Sequence, residues 1–178
     1  MAYILGISGS LRAASCNSKL LREAARLYGE AEYQEADLHL PLYDGDLESA
    51  EGIPASVAAL VDAIKGAEAV IISTPEYNKA PSGVLKNALD WVSRSKPHPW
   101  VGKPVAVMSA SSGRSGGERA QMILRSFMVP FRARVIAGPE MHLADCAKQF
   151  DEAGHLTGQL YIDTLSELMQ ALKAEARR

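Results

Sequence analysis

Residues 6–20 read "GISGSLRAASCNSKL", and this stretch gathers four serines, one asparagine and one arginine around only two glycines. Ser10, Ser15, Asn17 and Ser18 bring side-chain donors, and Arg12 brings a guanidinium that grips two anion oxygens at once. A helix starting inside the stretch adds free backbone N–H groups and the positive end of its dipole. An anion is favoured there without any lysine. A terminal phosphomonoester, with three free oxygens, suits a cage of hydroxyls, amides and one guanidinium. A triphosphate with Mg²⁺ would require G-x-x-x-x-G-K-[ST], which is absent. The turn Gly6-Ile7-Ser8-Gly9-Ser10 is followed by Leu11 where a dinucleotide fingerprint needs its third glycine. Helix capping is the competing role for Ser15 or Asn17, but it leaves Arg12 and Ser10 unexplained.

Two nucleophile patterns pass close to the same residues. "GISGS" differs from G-x-S-x-G by Ser10 in the last position, and no acid or histidine is placed to complete a triad. Cys16 and Arg22 share the C-x₅-R spacing of cysteine phosphatases. The intervening "NSKLL" belongs to a helix face instead of a phosphate loop, which argues against that reading.

Two further stretches offer chemistry. In "STPEYNKAPSGVLKNALDW", residues 73–91, Pro75 and Pro81 stiffen a loop that presents Glu76, Tyr77 and Asn78. Its backbone groups suit the edge of a flat heterocycle and Tyr77 suits its face. The alternatives are that Tyr77 covers the core and Asn78 forms a turn. Ser82 is placed to cap the helix that follows. Lys86, Asn87 and Asp90 form a polar face that suits a partner subunit. In "SASSGRSGGERAQ", residues 109–121, small residues allow a ligand close to the backbone. The alternative there is a flexible connection, with Gly116 and Gly117 leading into a helix and Arg114 solvated. The four histidines are scattered, and no metal site is expected.

Alternating elements position these loops. Residues 3–7, 69–73 and 104–109 are apolar runs of strand length, and 33–38 and 132–137 are weaker strands. Apolar spacing predicts helices over 18–28, 54–65, 82–93, 117–127 and 160–174, with a loop at "LPLYDGDLESAEGIP". Strands apolar on both faces, alternating with helices, imply an α/β protein with a parallel sheet covered on both sides. Five strands and five helices match the doubly wound flavodoxin-like order 2-1-3-4-5, whose ligands bind beyond the carboxyl ends of the strands. The three loops leave those ends.

The 178 residues suggest a single domain spanning 1–178. A net charge of −2 makes no electrostatic case for nucleic acid. No apolar run approaches the ~20 residues of a membrane span. Two cysteines are too few for a disulfide framework. With no leader at "MAYILGIS", a cytoplasmic location is expected.

The motifs "GSLRAASCN", "TPEYNKAPSGVLKNALDW" and "SSGRSGGERAQ", supported by "LPLYDGD…EGIP" and "GKPVAV", resemble the NADPH-dependent FMN reductase family, quinone and chromate reductase branch. The resemblance is collinear over nearly the whole chain. It implies FMN held noncovalently, with no catalytic side chain and with the chemistry carried by the flavin. Ser10, Arg12, Ser15 and Asn17, with Ser18 beside them, would hold the phosphate. Pro75, Glu76, Tyr77 and Asn78 would flank the isoalloxazine, and Ser111 and Gly113 would close its other side. It also implies hydride transfer from NADH or NADPH to FMN, then to quinones or similar small acceptors such as azo compounds, chromate or free flavin. A homodimer or homotetramer is implied, with helix 83–94 near an interface. Ser82 stands where the family often has proline, and Arg114 where it often has an apolar residue or glycine. A flavin-binding electron carrier or redox sensor is the alternative. Carriers usually carry a strongly acidic docking face, which a charge of −2 does not suggest.

Overall fold

A computed structural model describes residues 3–178. The sheet is parallel, in the order β2-β1-β3-β4-β5. Its strands are β1 (Tyr3–Ser8), β2 (Glu32–Glu35), β3 (Ala69–Thr74), β4 (Pro104–Ala110), β5 (Arg134–Val135) and β6 (Met141–Leu143). The helices are α1 (Cys16–Tyr28), α2 (Gly45–Glu51), α3 (Ala55–Gly66), α4 (Gly83–Ser93), α5 (Glu118–Met128) and α6 (Gln159–Ala176). Every residue of β3 and β4 is buried. Their side chains alternate between two cores, as the period of a strand requires. Leu5, Ile7, Val70, Ile72, Val105 and Val107 face α3, α4 and α5. Ile4, Ala69, Ile71, Ala106 and Met108 face α1 and α6. The doubly wound arrangement expected from the apolar runs is therefore present, with helices on both faces.

The differences from the sequence reading have local causes. The fifth sheet position is two short strands instead of one over 132–137. β5 pairs with Pro104 and Val105, and β6 pairs with Met108 to Ala110. Between them lie Gly138 and Pro139, and proline brings no N–H to a ladder. β2 ends at Glu35 instead of continuing to 38, because the Asp37 carboxylate accepts the His39 N–H (2.9 Å) and turns the chain out of the sheet. The predicted loop at 40–54 contains α2, which buries no residue and so leaves no apolar period. Asp44 caps it by accepting the Asp46 N–H, and its Glu48 pairs with Arg94 at 2.9 Å. α1 begins at Cys16, two residues before the predicted start, because Ser15 caps it.

Register brings the carboxyl ends of β1, β3 and β4 level. Ser8 lies opposite Ser73, and Thr74 lies opposite Ser109. α1 leaves toward one face and α4 toward the other, so the chain divides between β1 and β3, the switch point where doubly wound sheets bind ligands. Lys103 helps fix the far end of the sheet. Its ammonium donates to the carbonyls of Lys65 (3.2 Å) and Ala67 at the end of α3, and burial lowers its pKa.

Helix α1 carries the first loop, and a buried carboxylate anchors it. Glu23 accepts two hydrogen bonds from Arg26 (2.9 and 2.8 Å) and lies 3.1 Å from His155 Nδ1, joining α1 to the 150–156 turn. Burial pushes the Glu23 pKa up, but the bonds from Arg26 and His155 outweigh it and hold the group below the usual carboxylate value. A carboxylate depressed in the folded state contributes stability above its unfolded pKa, and that contribution is lost as pH falls through the folded value. Glu23→Gln is expected to cost about 1–2 kcal/mol at pH 7. The cost should shrink in acid as the wild-type carboxylate protonates, read from urea midpoints of both proteins at pH 7 and at pH 4.

Candidate functional site

The three loops meet on one cleft of about 250 Å³ at the carboxyl edge of the sheet. Ser10, Arg12, Ser15 and Asn17 enter its lining from the first loop, Pro75, Glu76 and Tyr77 from the second, and Ser111 from the third. Ala110, Cys16 and Cys146 complete the floor and wall. Three expected residues lie outside this lining. Ser18 turns to an adjoining depression of about 200 Å³, shared with Ser10 and Arg12 and closed by Asp37 and His39. Asn78 occupies a turn between Tyr77 and Ala80, which exchange backbone bonds of 3.0 and 3.1 Å. Its φ of 51° and the 68° of Lys79 are both left-handed, as a two-residue reverse turn requires. Gly113 shapes the third loop, where its N–H donates to the Ser111 hydroxyl (3.3 Å).

Many of the hydroxyls and amides picked out in the sequence are spent inside the protein. Ser15 Oγ accepts the N–H groups of Asn17 (3.1 Å) and Ser18 (3.3 Å), so the capping role applies to it. The Asn17 side chain is buried, and both its ends are bonded. Its oxygen accepts from Ser73 Oγ (2.8 Å) and the Ala110 N–H (3.1 Å), and its nitrogen donates to the Ala110 carbonyl (3.1 Å). Ser18 Oγ donates to Ser8 Oγ at 3.1 Å. Ser82 caps α4 by accepting the Leu85 N–H, and it donates to the Gly9 carbonyl (2.6 Å), joining the first two loops.

The groups left for a ligand are then few. The Arg12 guanidinium is exposed and pairs with no carboxylate among the described residues. The N–H groups of Ala13, Ala14 and Cys16 have no intramolecular acceptor among the described residues. Together with Ser10 they form a cationic, donor-rich lip at the start of α1, suited to a phosphate. Tyr77 is 51% exposed, so its ring stands at the rim and does not cover the core. The Glu76 carboxylate accepts the Ala120 N–H (3.1 Å) at the start of α5, holding the second loop to the third.

The third loop is ordered by its glycines and is no loose connection. A Cβ on Gly116 would lie 2.6 Å from the His142 carbonyl carbon, and one on Gly117 would lie 2.9 Å from Ser109 Cβ; φ is 61° and 90° at these positions. Arg114 is exposed. Asn87, expected on a polar face, pins the preceding segment instead, accepting from the Tyr43 N–H (2.8 Å) and donating to the Pro41 carbonyl (2.9 Å). Lys86 and Asp90 pair with each other at 2.7 Å. The sequence reading missed Ser73, Ala110 and Cys146. No spacing connects these to residue 17, and only the sheet register brings them there. No helix among the described residues is long and apolar enough to cross a membrane.

Comparison with known proteins agrees with this arrangement. Residues 2–148 match the family described as NADPH-dependent FMN reductase. An NAD(P)H-dependent FMN reductase of Pseudomonas aeruginosa is 40% identical over 177 residues, covering 98% of this chain and 95% of the relative. A quinone reductase of Escherichia coli is 37% identical over 183 residues, covering 96% of each. Among solved structures, the flavoenzyme NAD(P)H:(acceptor) oxidoreductase FerB of Paracoccus denitrificans superposes with a TM-score of 0.89 at 30% identity, over 99% of this chain and 98% of that one.

Asn17→Ala would strand the Ser73 hydroxyl and both backbone groups of Ala110 in the interior. It is expected to destabilise the protein by about 1–3 kcal/mol without any added ligand. Chemical unfolding of the ligand-free variant measures this, and wild-type stability would show that the carboxamide is free to serve a ligand.

Proposed function

The chain belongs to the NADPH-dependent FMN reductase family, and from that premise we propose that it is an NAD(P)H-dependent FMN and quinone reductase with its flavin in the three-loop cleft. The observation that carries this reading is the convergence of the loops on one cleft, whose lip holds a guanidinium and N–H groups without partners among the described residues. Those groups fit a phosphomonoester. The small, largely uncharged surface beyond them, from Pro75 to Tyr77 and from Ala110 to Ser112, fits a planar heterocycle. Bound FMN would supply the two-electron chemistry between a nicotinamide and a quinone.

The residues divide the remaining work. Arg12, Ser10 and the N–H groups of Ala13, Ala14 and Cys16 bind the phosphate, and Ser15 orders that lip by capping α1. Pro75 and Glu76 hold the second loop in place, Glu76 through its bond to the start of α5. Tyr77 presents its ring at the mouth, where a flat substrate enters. Ser111 and Ser112 bound the opposite wall. Asn17, Ser18, Asn78 and Gly113 act through the backbone they position. Azo compounds, chromate and free flavin are further acceptors suited to an open cleft of this kind. We also propose a homodimer or homotetramer with α4 near the interface, supported by Leu42, 81% exposed on the segment that Asn87 pins against α4. The cytoplasm, which supplies NAD(P)H, is the proposed compartment.

The purified protein is expected to be yellow, to lose its visible absorbance anaerobically with NADPH or NADH, and to regain it on adding a benzoquinone. Absorbance unchanged by both nucleotides would favour an electron carrier. Arg12→Ala is expected to weaken FMN binding by roughly 1.5–3 kcal/mol, the scale of a charged hydrogen bond. Fluorescence titration measures this, and equal affinity would remove Arg12 from the phosphate site.

A further inference from the structure

The wall of the cleft contains a pair of thiols that hydride transfer does not use. Cys16 opens α1 and is half-buried, and Cys146 opens the short 3₁₀ turn Cys146–Lys148 and is buried. Both line the cleft, and both pack in the same apolar cluster. Backbone ties on either side hold them together. Asn17, next to Cys16, is bonded to Ala110, and the Cys146 N–H donates to the Ser111 carbonyl (3.1 Å). Their common place on this wall is thus set by the fold.

We propose that Cys16 and Cys146 form a peroxide-responsive dithiol that closes to an intramolecular disulfide. Cys16 is the sulfur that a solute in the cleft reaches. As a thiolate it attacks one oxygen of a hydroperoxide such as hydrogen peroxide, and the O–O bond breaks. One oxygen stays on sulfur as the sulfenic acid, and the other leaves as hydroxide and takes up a proton to become water. Cys146 then gives up its proton and attacks the Cys16 sulfur. The S–O bond breaks, the S–S bond forms, and a second water leaves. The two cysteines together lose two electrons and the peroxide gains them. A small dithiol such as dithiothreitol reverses the step by exchange. Burial first, and then the neighbouring Cys16 thiol, push the Cys146 thiol up, which disfavours its thiolate and leaves Cys16 as the sulfur that meets peroxide first.

The test treats the protein as isolated with hydrogen peroxide, alkylates it under denaturing conditions, and digests it without reductant. The expected result is a peptide pair linked through Cys16 and Cys146 within one chain, reversed by dithiothreitol, with both thiols lost together in a thiol titration. Cys146→Ala is expected to accumulate a dimedone adduct on Cys16. Cys16→Ser is expected to slow loss of the remaining thiol by roughly tenfold, because only the buried sulfur is left. Recovery of both cysteines fully alkylated after peroxide, or linkage only between separate chains, would overturn the proposal. Equal reactivity of Cys146 in the Cys16→Ser variant would do so as well. The linkage in the wild-type protein decides the matter even if a variant fails to fold.

Discussion

A single buried carboxamide holds the carboxyl edge of this sheet together. Asn17 is 3% exposed, yet each of its polar atoms is bonded, to the side chain of Ser73 on β3 and to both backbone groups of Ala110 at the end of β4. A buried amide with this complement is stable only in one geometry, because any shift of α1 leaves donors and acceptors unpaired at a cost of a few kcal/mol. The start of α1 is therefore fixed relative to two neighbouring strands. The first loop, which runs into that helix, is placed against the third loop, which leaves β4.

The second loop is held to the same frame by two short ties. Ser82 reaches the Gly9 carbonyl, and Glu76 reaches the start of α5. Gly9 permits this approach, since a Cβ there would lie 3.0 Å from both Pro75 Cδ and Ser82 Oγ. Gly116 and Gly117 do the same for the third loop against His142 and Ser109. Residues of one chemical type are thus divided between two duties. Ser15, Ser18, Ser73, Ser82 and Asn17 bond within the protein, while Ser10, Arg12 and Ser111 border the cleft with capacity to spare.

This division explains why the site offers a ligand backbone donors, small side chains, one cation and one aromatic ring, and little else. Such a surface suits a bound cofactor that carries the reaction itself. Membership of a flavin-reductase family accords with that economy. The same packing that makes the cleft also places Cys16 and Cys146 on one wall, a consequence of how α1 meets the segment after β6.

The sequence by itself determined the architecture and which three polar loops lie at the carboxyl edge of the sheet. Largely apolar runs at 69–73 and 104–109 mark strands covered on both faces, and helical spacing between them matches a doubly wound sheet. Arg12, Tyr77 and the polar loops at strand ends were legible because solvated turns tolerate such residues only where the backbone permits them. Three features were not legible in the chain. α2 buries nothing and so shows no period. The last strand breaks at Gly138 and Pro139, and no spacing announces that its second half pairs with Met108 to Ala110 of β4. Above all, the duties of Asn17, Ser15, Ser18 and Cys146 depended on which partner lay opposite. Hydrogen bonds act over a few ångströms between residues distant in sequence, so only the sheet register and the helix docking could assign them.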